Sequence, residues 1–215
     1  MFFRKREPRP EPVATRTGRR PGQSARDKQQ ELADAAPIKT FFTRLFDLHT
    51  DERAWRLGAD GEERVGALLE QIRPHGWHVE HDVRVGSRGA NLDHLVIGPP
   101  GVFVINTKAL SGKVWVGGDN VMVNGRPRDY VEKLEYEAQR VRRCLLAATR
   151  RHRLWVQGLL VMAHQKPVVN QQPQNVAVIH HTELVPGLLG QPVKLSAEDV
   201  AELADAARRE ETWAE

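Results

Sequence analysis

The stretch NLDHLVIGPPGVFVINTK, residues 91–108, has an apolar middle and a Gly-Pro-Pro-Gly turn. Yet it carries a carboxylate at Asp93, an amide at Asn106 and an amine at Lys108. An acid, a second oxygen donor and a lysine make a recognisable chemical set. Hard oxygen ligands hold Mg²⁺, which keeps several of its waters and takes few protein groups. Such a cation offsets charge on a phosphate and activates a water. A neighbouring lysine stabilises the charge of a phosphoryl transition state or orients the attacking water. The other reading of the same residues is an ordinary, partly buried ion pair between Asp93 and Lys108.

Whether these groups meet depends on the element that carries them. Strand side chains alternate between faces. Asp93, Leu95 and Ile97 share a face of the first arm, and Val102, Val104, Asn106 and Lys108 share a face of the second. With residues 98–101 as the loop, Ile97 pairs with Val102, Leu95 with Val104, Asp93 with Asn106 and Asn91 with Lys108. Opposed side chains have Cβ atoms roughly 4.5–5.5 Å apart, so this register predicts a polar cluster at the open end of an apolar hairpin. A slip of a single residue would part Asp93 from Asn106.

The flanking sequence supplies the rest of a sheet and its helices. DERAWRLGADGEERVGALLEQIRP, from Asp51, has helix-spaced apolar residues at Trp55, Val65, Leu68, Leu69 and Ile72; Gly58 and Gly61 weaken its middle and Pro74 ends it. WHVEHDVRV (77–85) alternates as a strand, with Trp77, Val79, His81, Val83 and Val85 on one face and Glu80, Asp82 and Arg84 on the other. GKVWVGG (112–118) and NVMVNG (120–125) read as two short strands. A long helix follows from Tyr130 to Arg150, its apolar stripe running Val131, Leu134, Ala138, Val141, Leu145 and Ala148. LWVQGLLVMA (154–163) and NVAVIHH (175–181) are continuous apolar runs, as expected of strands covered on both faces. A last helix begins at Ser196, with Asp199 completing its cap. The order predicts an α/β domain with a mixed central sheet flanked by helices. The expected divisions are an arm at 1–48, the main domain at 49–190 and a C-terminal helix at 191–215.

Composition narrows the setting. The chain has 215 residues, a net charge of +4 and a single cysteine, Cys144, which excludes an intramolecular disulfide framework and a cysteine zinc cage. No apolar run approaches the ~20 residues of a membrane span, and a cytoplasmic protein is expected. Residues 1–30 hold nine Lys/Arg against three Asp/Glu, whereas the remainder is slightly acidic. The arm, poor in apolar residues, is expected to be disordered, with a short helix from Ser24 and an apolar cluster FFTRLF at 41–46. Its charge suits loose contact with nucleic acid or an anionic membrane surface.

GADGEERV (58–65), NLDHLVIGPPGVFVINTKALSGKVWV (91–116) and the helix carrying Gln139 resemble the nuclease-related domain, a family of the PD-(D/E)XK nuclease-like superfamily. The resemblance runs from about Trp55 to Ala148. It implies a restriction-endonuclease-like fold and metal-dependent hydrolysis of DNA with Mg²⁺ or Mn²⁺. By position it makes Glu62 a helix-borne acid of the site, Asp93 the main metal ligand, Lys108 the catalytic lysine and Gln139 a supporting polar group. The family pattern expects an acid two residues before the lysine, where this chain has Asn106, an oxygen donor without charge. Glu62 is the first candidate to compensate, with Glu80 and Asp82 behind it. The alternative is a non-catalytic module that binds DNA, protein or membrane on the same fold. Arg84, Arg88, Arg126, Arg128 and Arg143 are candidate phosphate contacts, without an aromatic partner for base stacking.

Overall fold

The computed structural model describes residues 20–21, 23, 26, 45–86 and 90–214, and for 45–57 the backbone alone. Most of the basic arm, the helix expected from Ser24, most of FFTRLF and Arg88 lie outside the described residues.

The first helix, α1 (Leu45–Glu70), runs uninterrupted through both glycines. Gly61 is there for closeness rather than for a bend: a Cβ on it would lie 2.6 Å from Cβ of Ala109 and 3.3 Å from that of Ala163. After a 3-10 turn come β1 (His78–Val85), β2 (Ala90–Gly98) and β3 (Gly101–Lys108). The hairpin register is the expected one, with Ile97 opposite Val102 and Leu95 opposite Val104. Helix α2 (Tyr130–Thr149) leads to β7 (Val156–Met162), and β9 (Val176–His180) to α3 (His181–Leu189). The central sheet has the order β1-β2-β3-β7-β9. β1, β2 and β3 are antiparallel neighbours, and β3, β7 and β9 run parallel, so the sheet is mixed as the sequence predicts.

Alternation on β2 and β3 feeds two cores. Leu95, Ile97, Val102 and Val104 pack with Val131, Leu134, Ala138 and Val141 of α2. Val96, Phe103 and Ile105 pack on the other face with Val65 and Leu69 of α1 and with Ile72. Each fully buried aliphatic side chain contributes about 1.5–3 kcal/mol, so both faces must be covered. Helix α4 (Ala197–Arg208) completes the α2 side through Val200, Leu203, Ala206 and Ala207. Residues after 190 therefore share the main core. Ser196 caps this helix as expected, accepting the N–H of Asp199 at 3.1 Å.

Two features differ from the sequence reading. The short strands β4 (Val114–Gly117) and β5 (Asn120–Val123) leave the main sheet and join β6 (Arg126–Arg128) and β8 (Val168–Gln171) in a second sheet, order β6-β5-β4-β8. β1 also does not keep one face. Trp77 and Val79 enter the α1 core, whereas Val83 and Val85 enter the α2 core. The turnover falls at Asp82, whose φ of +51° lies in the left-handed region. Asp82 is consequently buried, at 4 % exposure, and does not face solvent.

Gly58 and Gly61 should respond oppositely to alanine. Gly58→Ala meets nothing within 4 Å among the described residues and should stabilise by about 1 kcal/mol through helix propensity. Gly61→Ala should destabilise by about 1–3 kcal/mol despite the same propensity, because it overpacks the end of β3. Urea unfolding of the two variants checks the sign of each.

Candidate active site

The β2–β3 ladder ends at His94 opposite Ile105. Beyond it, Asp93 does not pair with Asn106 through the main chain. Its Oδ2 instead accepts the N–H of Thr107 at 2.6 Å. β3 meanwhile continues beside β7, with Asn106 opposite Leu160 and Lys108 opposite Met162. The carboxylate thus occupies the place of a strand carbonyl, exchanging a ladder bond for a charge-assisted one. Lys108 stays on the α2 face: its Nζ donates to the Thr107 carbonyl at 3.3 Å and lies 5.4 Å from the centroid of the Tyr130 ring, at the start of α2.

Two further acids close on this point. Burial holds the Asp93 carboxyl above the usual range, opposed by the Lys108 charge and the Thr107 N–H and reinforced by the nearby negative charge of Asp82. Burial, followed by the charge of Asp93, pushes Glu137 up to about 7. Oε2 of Glu137 is buried and has no hydrogen-bond partner among the described residues. Asp82 accepts from Asn91 Nδ2 at 2.7 Å. The site is therefore more than an ion pair: the charge of Asp93 is felt by Glu137 and that of Asp82 by Asp93, with Lys108 acting on Asp93 and Glu137 and Lys133 on Glu137 as well. A buried surplus of negative charge is resolved by taking up protons or a cation.

The other expected site residues fall as follows. Asn106 is half-buried, next to Thr107 on β3. Glu62 is half-buried and comes from α1, on the opposite side of the sheet; its neighbour Gly61 rests on Ala109, just past the end of β3. Gln139 is exposed and lines a cleft with Arg142, Arg143 and Trp155. It is two residues from Glu137, and such residues do not share a helix face. The polar group of α2 that feels the charge of Asp93 is Glu137, whereas Gln139, expected as the supporting group, lines the other cleft. A signal for it was present: Glu137 lies three residues after Leu134 and four before Val141, so a carboxylate stands on the apolar stripe. Asp82 was also at hand, but alternation put it on the outer face. Arg84, Arg126, Arg128 and Arg143 are exposed, on β1, β6 and α2.

Behind the site, on the α1 face, runs a polar chain. His81 Nε2 lies 2.8 Å from Glu70 Oε1, and its Nδ1 lies 2.8 Å from His94 Nδ1. His94 Nε2 lies 3.5 Å from Thr107 Oγ1. Burial lowers both imidazoles, His94 far below the ordinary value, so each is neutral at pH ~7. Glu70, held low first by Arg73, is an acceptor only. His81 must then donate through Nε2 and accept through Nδ1; His94 donates through Nδ1 and accepts the Thr107 hydroxyl at Nε2. Thr107 consequently holds Asp93 by its main chain and His94 by its side chain, joining the two faces of the sheet.

No three His, Cys, Asp or Glu side chains among the described residues are grouped closely enough to hold an ion by themselves. Mg²⁺ does not require that, since it is commonly bound by one or two carboxylates and retained waters. The partnerless buried Glu137 oxygen beside Asp93 fits such a cation.

A mixed sheet carrying an acid and a lysine at the end of a central hairpin defines a nuclease-like α/β domain of the PD-(D/E)XK class. Residues 57–163 match the nuclease-related domain, and the chain belongs to that family. It is also 36% identical, over 67 residues, to an uncharacterised protein of Bacillus anthracis, a match spanning 30% of each chain. No solved structure matches the chain.

Two measurements test this geometry. Nitrogen-15 NMR at neutral pH should find His81 as the Nε2–H tautomer and His94 as the Nδ1–H tautomer; two Nε2–H rings would contradict the chain of donors. The second is a pH series. An acid whose folded pKa exceeds its unfolded value holds an extra proton between the two. Glu137, at about 7 against an ordinary 4.5, should therefore erode stability as pH rises across that interval. The loss is up to about 3 kcal/mol in metal-free protein. Urea midpoints across the interval should fall less steeply in Glu137→Gln than in the natural chain.

Proposed function

We propose that this chain hydrolyses phosphodiester bonds in DNA with a divalent cation, Mg²⁺ or Mn²⁺. The observation that carries the proposal is the buried Glu137 oxygen without a partner among the described residues, on a carboxyl that feels the charges of both Asp93 and Lys108. Membership of the nuclease-related family supports the same reading.

Asp93 and Glu137 would hold the cation, with the amide oxygen of Asn106 as a neutral donor and Glu62 approaching from α1. In this arrangement Glu137 restores the negative charge missing at position 106, where the family pattern has an acid. When bound, the cation offsets charge on the scissile phosphate and lowers the pKa of a water. Lys108, held by the Thr107 carbonyl and the Tyr130 ring, keeps an ammonium on the same face to receive the developing phosphate charge. Thr107 fixes the Asp93 carboxylate through its N–H. The exposed arginines Arg84, Arg126, Arg128 and Arg143 are proposed backbone contacts, which position DNA without reading its sequence.

The test is supercoiled plasmid incubated with Mg²⁺ or Mn²⁺. Lys108→Ala and Glu137→Gln should each slow nicking by about 100-fold. Asn106→Asp should lower the metal concentration needed for half-maximal rate. Equal cutting by the natural chain and Lys108→Ala would sink the proposal. DNA binding without any metal-stimulated cutting would leave a binding module in its place.

A further inference from the structure

We propose that the outer ridge of α2 is a binding track for single-stranded nucleic acid, with Tyr136 and Trp155 as stacking platforms at its two ends. The proposal rests on the nuclease reading only for where a cut would fall; binding along the ridge needs no catalysis.

Tyr136 and Trp155 are 60% and 59% exposed, against 38% for Trp115. Each sits beside arginine. Tyr136, Arg140 and Lys133 line a cleft of ≈ 350 Å³ whose wall also holds Glu137, Glu132 and Asp129, the last paired with Lys133 at 2.9 Å. Trp155, Arg142 and Arg143 line a second cleft of ≈ 440 Å³. Trp155 and Arg153 also border a larger cleft of ≈ 920 Å³.

Both clefts are lined in part by α2. Arg140 follows Tyr136 by four residues and Arg143 follows Arg140 by three, which places them in one row on the helix surface. From Tyr136 to Arg143 the helix rises roughly 10 Å. Trp155 immediately precedes β7, at the end of the sheet away from Lys108, since Val156 lies opposite Val102 and Met162 opposite Lys108. Along the strand that separation is about 20 Å.

The chemistry favours unpaired bases. Stacking on an exposed ring requires a free base face, and arginines beside the ring attract the backbone. Trp155 is steadied by donating its Nε1–H to Gln157 Oε1 at 3.2 Å, and Arg142 by donating Nε–H to the Leu154 carbonyl at 2.8 Å. Glu135, an acid in the second cleft, accepts from Asn175 at 3.1 Å. A second copy of the chain would set the same arginines against each other.

The test is fluorescence anisotropy with labelled oligo(dT), oligo(U) and a DNA duplex of equal length, in EDTA so that no metal-dependent cutting intervenes. The single strands should bind about ten-fold tighter than the duplex. Trp155→Ala should weaken them by about ten-fold, and Trp155→Phe should recover most of the loss. Arg143→Ala should reduce the log–log salt slope by about 0.7. Tight binding of either oligomer supports the proposal. It is overturned if the duplex binds as well as the single strands, or if Trp155→Ala binds like the natural chain. It is equally overturned if the natural chain sediments as a dimer that Trp155→Ala dissociates. Plasmid cutting without these effects would spare the nuclease reading and reject the track; the effects without cutting would do the reverse.

Discussion

A carboxylate that caps the main chain of the neighbouring strand is the interaction on which the site depends. By accepting the Thr107 N–H, Asp93 ends the hairpin ladder one pair early and lets β3 continue alone along β7. The end of β3 is thereby freed from β2, and Lys108 can lie against Tyr130. Asp82 relaxes the same region from the other side, because its left-handed backbone turns β1 over beside Asp93. The distortions on neighbouring strands lie at one level of the sheet and bring two acids inward. Backbone irregularities of this kind are costly enough to persist only where the surrounding structure holds them. Here the two cores above and below the sheet do so.

Charge then becomes the defining property of the site. Most buried carboxylates in proteins are matched by a cation or by donors. Beside Lys108, burial first and neighbouring negative charge second raise the affinity for protons at Asp93 and Glu137. Under the proposed function, a divalent cation would relieve the same demand. Asn106 supplies oxygen without charge, and α2 supplies the missing charge from outside the hairpin.

The opposite face of the sheet performs a different task. The chain Glu70–His81–His94–Thr107 contributes order rather than charge, since both imidazoles are neutral at pH ~7. Every donor in it has a fixed direction, set by the carboxylate at its outer end. Thr107 is common to this chain and to Asp93, so the rotation of one threonine is constrained from both sides of the sheet. The helices divide along the same line: α1 packs behind the site, and α2 carries Glu137 and the exposed aromatic and basic residues in front of it.

Alternation, turn chemistry and apolar spacing carried much of this protein in the sequence. They placed the hairpin and its register, the mixed sheet, the long helix after residue 129, the Ser196 cap, and Asp93 and Lys108 at one end of the hairpin. These are local properties, decided by residues a few positions apart. Three features were not local. Glu137 joins Asp93 because α2 packs over β3, and nothing between residues 93 and 137 specifies that crossing. Asp82 turns inward because its backbone leaves the β region, which periodicity assumes it will not do. β4, β5, β6 and β8 form their own sheet because pairing partners are chosen across long stretches of chain, where loop closure and side-chain packing outweigh strand propensity. The sequence by itself determined which chemical groups this protein would have at the hairpin's open end. Only the tertiary structure decided which further acids would lie near Asp93 and Lys108, because that depends on which faces of distant elements are pressed together.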